Sequence, residues 1–118
     1  MDKFKINCGK TISAKPYIGK HEKSYTAYIP YYHDDKKCNF INAYWCAMYF
    51  DLPINREDGN PSYTYSYSDK VHEIGITHNE LSKIYDKINI IQKAIEKKGG
   101  IVCKVDNIED YIVTDYTN

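Results

Sequence analysis

Arginine is almost missing from this 118-residue chain, where Arg56 stands alone beside 15 lysines. Arginine is the side chain that forks onto phosphates and base edges, so its scarcity argues against nucleic acid as a general ligand. Net charge is missing as well, with 16 basic and 16 acidic residues. That removes both the basic footprint of a nucleic-acid binder and the acidic surface of a DNA mimic. No apolar run approaches the roughly 18 residues of a membrane span. The longest apolar-rich stretch, 40–52, is interrupted by Asn42 and Asp51. Residues 1–6 carry no apolar core of a secretion signal, which predicts a cytoplasmic, host-cell location and no membrane association. The cysteines, at 8, 38, 46 and 103, form no Cys-x-x-Cys pair. A zinc ribbon or a thioredoxin-type site is therefore unsupported, and reduced, buried thiols are the expectation.

What the chain has in excess is tyrosine: 13 residues, against 3 Phe and 1 Trp. With 42% hydrophobic and 27% charged residues it has enough apolar content for one core, and the length suits one domain spanning 1–118.

Hydrophobic periodicity predicts the elements. Residues 3–8 alternate as a short strand, and 9–23 read as a loop with a possible strand at Thr11–Ser13. Residues 24–32 read as a strand with Tyr25, Ala27, Ile29 and Tyr31 on one face. Pro30 then marks an edge or an end, because it donates nothing to a ladder. Over 39–50, Ile41, Tyr44, Trp45, Met48 and Leu52 keep helical spacing, which predicts a short buried helix stopped by Pro53, the alternative being a core strand rich in aromatics. Residues 62–68 alternate Ser/Thr with Tyr63, Tyr65 and Tyr67, and a turn near Ser68-Asp69 leads into a strand over 71–76.

Thr77-His78-Asn79-Glu80 has the form of a capping box, with Ile76 and Leu81 as its staple. It opens a long amphipathic helix over about 78–98, whose stripe is Leu81, Ile84, Tyr85, Ile88, Ile91 and Ile95. Gly99-Gly100 ends it. Strands over 101–105 and 111–114 complete an α+β fold, a mostly antiparallel sheet packed against these two helices.

Chemistry-bearing residues are scattered. His33, His72 and His78 each have a carboxylate within two residues, as does His21. That pairing suits acid–base work and makes these histidines the weak catalytic candidates for a small hydrolase or nuclease. Cys38 lies near His33 and is the candidate nucleophile, without a third orienting group. Gly9-Lys10-Thr11 ends like a phosphate loop, but Phe4 stands where that loop needs glycine. Lys10, Lys15 and Lys20 remain possible point-charge contacts. No motif calls for a metal or a cofactor.

The tyrosines point to recognition, since Tyr joins large apolar area to a polar tip at low entropy cost. Tyr63, Tyr65 and Tyr67, with Tyr28, Tyr31 and Tyr32, are the candidate binding residues. Charge divides into alternating segments, net +4 over 1–40, −3 over 41–76, +2 over 77–100 and −3 over 101–118. Such patches suit self-association or docking on a protein. A Lys-for-Arg bias with abundant Asn, Ile and Tyr fits an AT-rich genome, and small motif-poor chains are common among phage and mobile-element inhibitors. The expectation is therefore a non-enzymatic protein-binding or inhibitory module of anti-defence type, with a protein target and possible homo-oligomer formation. The alternatives are the His/carboxylate enzyme and an oligomeric sponge for a nucleotide signal.

Overall fold

The computed structural model describes residues 15–53, 62–68 and 71–113. It is a small α+β domain with a six-stranded mixed sheet and two helices. The strands are β1 (Tyr17–Lys20), β2 (Tyr25–Tyr32), β3 (Ser62–Ser68), β4 (Val71–His78), β5 (Ile101–Val102) and β6 (Ile112–Val113). The helices are α1 (Ala43–Tyr49) and α2 (Leu81–Lys97). Sheet order is β3-β4-β2-β1-β6, with β5 also on β2. All pairings are antiparallel except β1 with β6.

Alternation along the strands sorts the side chains into two faces. Ile18, Ala27, Ile29, Tyr31, Ile74 and Ile76 share one face by register, and the Tyr63, Tyr65, Tyr67 row shares it too. That face carries the core. Ile84, Ile88, Ile91 and Ile95 of α2 pack on it, and Cys46, Ala47 and Phe50 from α1 and its end close the rest. The long helix and its stripe thus stand as predicted. The β3–β4 hairpin does as well, paired down to Ser68 opposite Val71.

Four local expectations change. Thr77 does not cap α2. It lies within β4, its hydroxyl 2.8 Å from that of Thr26, and Glu80 takes the N-cap position without a side-chain cap bond. The sheet extends two residues further than the periodicity suggested, because β2 offers a full ladder out to Tyr25 opposite His78. Pro30 is not on an edge strand, since β2 lies inside the sheet. It sits between the stretch paired to β1 and the stretch paired to β5, where the ladder on that side is broken. The loop expected over 9–23 contains β1, while the final strands shorten to two residues each, the second preceded by a 3₁₀ turn at Ile108–Tyr111. The expected strand at 3–8, Thr11–Ser13 and Lys10 lie outside the described residues.

Both helices end in the same motif. Gly100 N–H donates to Ile95 O and Gly99 N–H to Glu96 O, with Gly99 at φ 90°. Leu52 N–H donates to Ala47 O and Asp51 N–H to Met48 O, with Asp51 at φ 56°. This paired-bond ending needs one left-handed residue, which Gly takes freely and Asp tolerates. Among the described residues no helix is long and apolar enough to cross a membrane.

Candidate functional site

Helix α1 is the part of the fold whose burial departs most from its sequence pattern. Asn42 caps it, accepting from Trp45 N–H at 3.1 Å. The helical spacing of Ile41, Tyr44, Trp45 and Met48 is real, but that stripe faces outward. Ile41 is 80% exposed, Tyr44 57%, Trp45 50% and Met48 46%. The face turned to the sheet is the small one, Cys46 and Ala47, followed by Phe50 and Leu52. The expected buried helix over 39–50 is thus a shorter helix, and most of its large apolar side chains are on the outside. The physical reason lies under it. Tyr63, Tyr65 and Phe40 pack against the core there, and Phe40 meets Tyr65 edge-on at 5.3 Å. With that volume filled by rings, small side chains let the α1 backbone approach the sheet.

Beside the stripe is a cleft of about 450 Å³, lined by Lys37, Asn39, Phe40, Ile41, Trp45 and Tyr49. Its walls are mainly apolar, with one lysine and one asparagine at hand. Tyr49 forms part of this wall. Its ring meets Phe50 edge-on at 5.0 Å and lies 5.5 Å from the Lys98 ammonium.

Beneath α1 is a buried aromatic and thiol cluster. His72 is only 4% exposed. Its ring stacks on Tyr31 and Tyr65 at 5.2 and 5.9 Å. The Tyr31 hydroxyl faces Cys46 Sγ at 3.9 Å. Burial raises the Tyr31 hydroxyl pKa strongly and pushes Cys38 up to about 11 and Cys46 up to about 12. Burial lowers the His72 pKa, and the nearby His33 adds to it. Neutral forms are therefore held throughout the cluster at neutral pH.

The sequence-predicted residues fall in separate places. His33 bridges backbone, with Nδ1 accepting from Asp35 N–H at 2.9 Å and Nε2 facing Lys98 O at 2.7 Å, at the C-terminal end of α2. His78 Nδ1 accepts from Glu80 N–H at 2.9 Å. Cys38 is fully buried, and with its pKa raised the thiolate that a nucleophile requires is scarce. The reduced state holds for Cys38 and Cys46, whereas Cys103 is disulfide-bonded and Cys8 lies outside the described residues.

The tyrosine row divides. The Tyr63 hydroxyl donates to Pro53 O at 2.8 Å, and the Tyr65 hydroxyl donates to Cys38 O at 2.9 Å. Only Tyr67 is largely exposed, at 53%. Tyr31 is in the core, Tyr28 is half-buried and stacked on Tyr17 at 4.8 Å, and the Tyr32 hydroxyl donates to Asp34 at 2.6 Å. Lys15 donates to the Tyr111 hydroxyl at 2.8 Å, and Lys20 is exposed at the end of β1. Among the described residues no three His, Cys, Asp or Glu side chains converge on a metal position.

The outward α1 stripe was missed because periodicity reports a face without saying which way it points. The one hint was the small trio Ala43, Cys46 and Ala47 on the opposite side. Compared with protein-family models, with curated proteins and with solved structures, the chain matches none of them.

Proposed function

We propose that this protein is a binding module that recognises another protein through α1, its stripe Ile41, Tyr44, Trp45 and Met48 and the adjoining cleft. The observation that carries the reading is the exposure of the chain's one tryptophan in line with Ile, Tyr and Met. Trp, Tyr and Met are enriched at the centres of protein interfaces, and a contiguous apolar patch on a small domain is commonly a contact surface. Lys36, Lys37 and Asp51 are exposed at the ends of the stripe and suit a polar rim. The surface differs from the tyrosine row expected from the sequence, of which Tyr67 alone is largely exposed. An inhibitory role of the anti-defence kind is supported by composition and chain size only.

The test compares the wild-type chain with an Ile41→Ser/Trp45→Ser/Met48→Ser variant, both immobilised and exposed to lysate of the native host. The variant is expected to keep its circular-dichroism spectrum and to lose the protein that wild type retains. Blue-shifted Trp45 emission on adding that protein would place the contact at α1. A wild-type chain that retains no protein, or a folded variant that retains the same one, overturns the reading.

A further inference from the structure

We propose that a second copy of this chain pairs with the outer edge of β3, antiparallel and about a two-fold axis at Tyr65, joining two sheets into one. This is independent of the α1 reading.

Strand β3 stands at the end of the sheet, and among the described residues no strand pairs with its outer edge. Natural edge strands are usually short or guarded by lysine, proline or a bulge, since free N–H and C=O groups template further pairing. The seven residues of β3, Ser-Tyr-Thr-Tyr-Ser-Tyr-Ser, contain neither charge nor proline, and the ladder to β4 runs through all seven without a bulge. Nothing in the strand itself opposes a neighbour.

The pattern also specifies which neighbour fits. Reversed about Tyr65, the strand repeats itself: Tyr63 falls opposite the Tyr67 of a second copy, and Thr64 opposite its Ser66. An isologous contact requires this self-complementarity. Tyrosine then meets tyrosine on the core face and hydroxyl meets hydroxyl on the other. Aromatic pairs and Thr–Ser pairs are both favourable across antiparallel strands. A shift by one residue would set tyrosines on the wrong face, and a shift by two would leave two residues of each strand unpaired, so the register about Tyr65 is the one that pairs all seven. Thr64, Ser66 and Tyr67 are exposed and so accessible to a copy, with the Ser66 hydroxyl already donating to Glu73 at 3.4 Å and the Tyr67 ring 4.7 Å from that of His72.

The experiment is sedimentation of the whole chain over a range of concentrations, for wild type and two variants. Wild type is expected to reach twice the 13.8 kDa chain mass. Thr64→Lys/Ser66→Lys sets lysine opposite lysine twice across the seam, and dimerisation should weaken roughly tenfold or more. Thr64→Glu/Ser66→Lys sets glutamate opposite lysine and should restore the dimer. A wild type that stays monomeric, a folded double-lysine variant that still dimerises, or a folded charge-matched variant that stays monomeric each overturns the proposal. Should the double-lysine variant unfold, amide exchange on wild type decides: protection at 63–67 rises with chain concentration if the edge pairs, and its failure to rise overturns the proposal.

Discussion

Tyr65 and His72 are diagonal neighbours on the core face of the β3–β4 hairpin, with the Tyr65 hydroxyl 2.7 Å from His72 Nδ1. The hydroxyl's single proton goes to Cys38 O, so the oxygen accepts from His72 Nδ1–H. That assigns the neutral Nδ1-protonated tautomer to a buried histidine. The relay ties β4 through β3 to the 3₁₀ turn at Lys36–Cys38, just ahead of α1. It therefore supports the base on which the outward α1 stripe stands.

Removing that hydroxyl isolates a buried donor. Tyr65→Phe is expected to destabilise the chain by about 1–3 kcal/mol, the usual penalty for an unsatisfied buried polar group. Tyr67→Phe, at an exposed position, should stay within about 0.5 kcal/mol of wild type. Urea unfolding of both variants checks the contrast, and equal stabilities would show that the relay carries no weight.

Stability should fall on mild acidification. Burial first, and His33 second, hold the His72 pKa below 6.5, so the unfolded chain takes up this proton at a higher pH than the folded one. The contribution of His72 is thus full above about 6.5 and is lost as pH falls toward its folded value. One proton corresponds to a slope of at most about 1.4 kcal/mol per pH unit. Glu73 acts with the opposite sign. Its pKa is raised above 4.5 by burial, against the Ser66 hydrogen bond, so its protonation favours the folded state. Unfolding measured across this range should show the His72 slope in wild type and not in His72→Gln. Parallel curves would refute the assignment.

The two free thiols should be inert. Cys38 and Cys46 are buried, with pKa values raised to about 11 and 12, so almost no thiolate exists at neutral pH. Alkylation followed by peptide mass spectrometry should label neither in the native protein and both in denaturant. Rapid native labelling of Cys38 would instead indicate an accessible nucleophile.

The sequence was most legible where local signals act alone. The 3.6-residue stripe of α2 and its Gly99-Gly100 ending follow from spacing and from the backbone freedom of glycine. The strict Ser/Tyr alternation over 62–68 likewise assigns the tyrosines of β3 to one face. Thr77 was misread because its capping pattern competed with a strand, and pairing with Thr26 won. Pro30 was misread because an interior strand with a gap beside it looks, locally, like an edge.

What the sequence determined by itself is the α+β class, the long helix, the hairpin and the common face of the tyrosines, since each depends on the period of a contiguous segment. What only the tertiary structure decided is direction. The volume beneath α1 was taken by Phe40, just ahead of the helix, and by Tyr63 and Tyr65, which come from β3. Only the small side of α1 could then turn inward, and Ile41, Tyr44, Trp45 and Met48 were left facing solvent. Which of two apolar faces is buried depends on how much space the remaining side chains leave, and a local period does not contain that quantity.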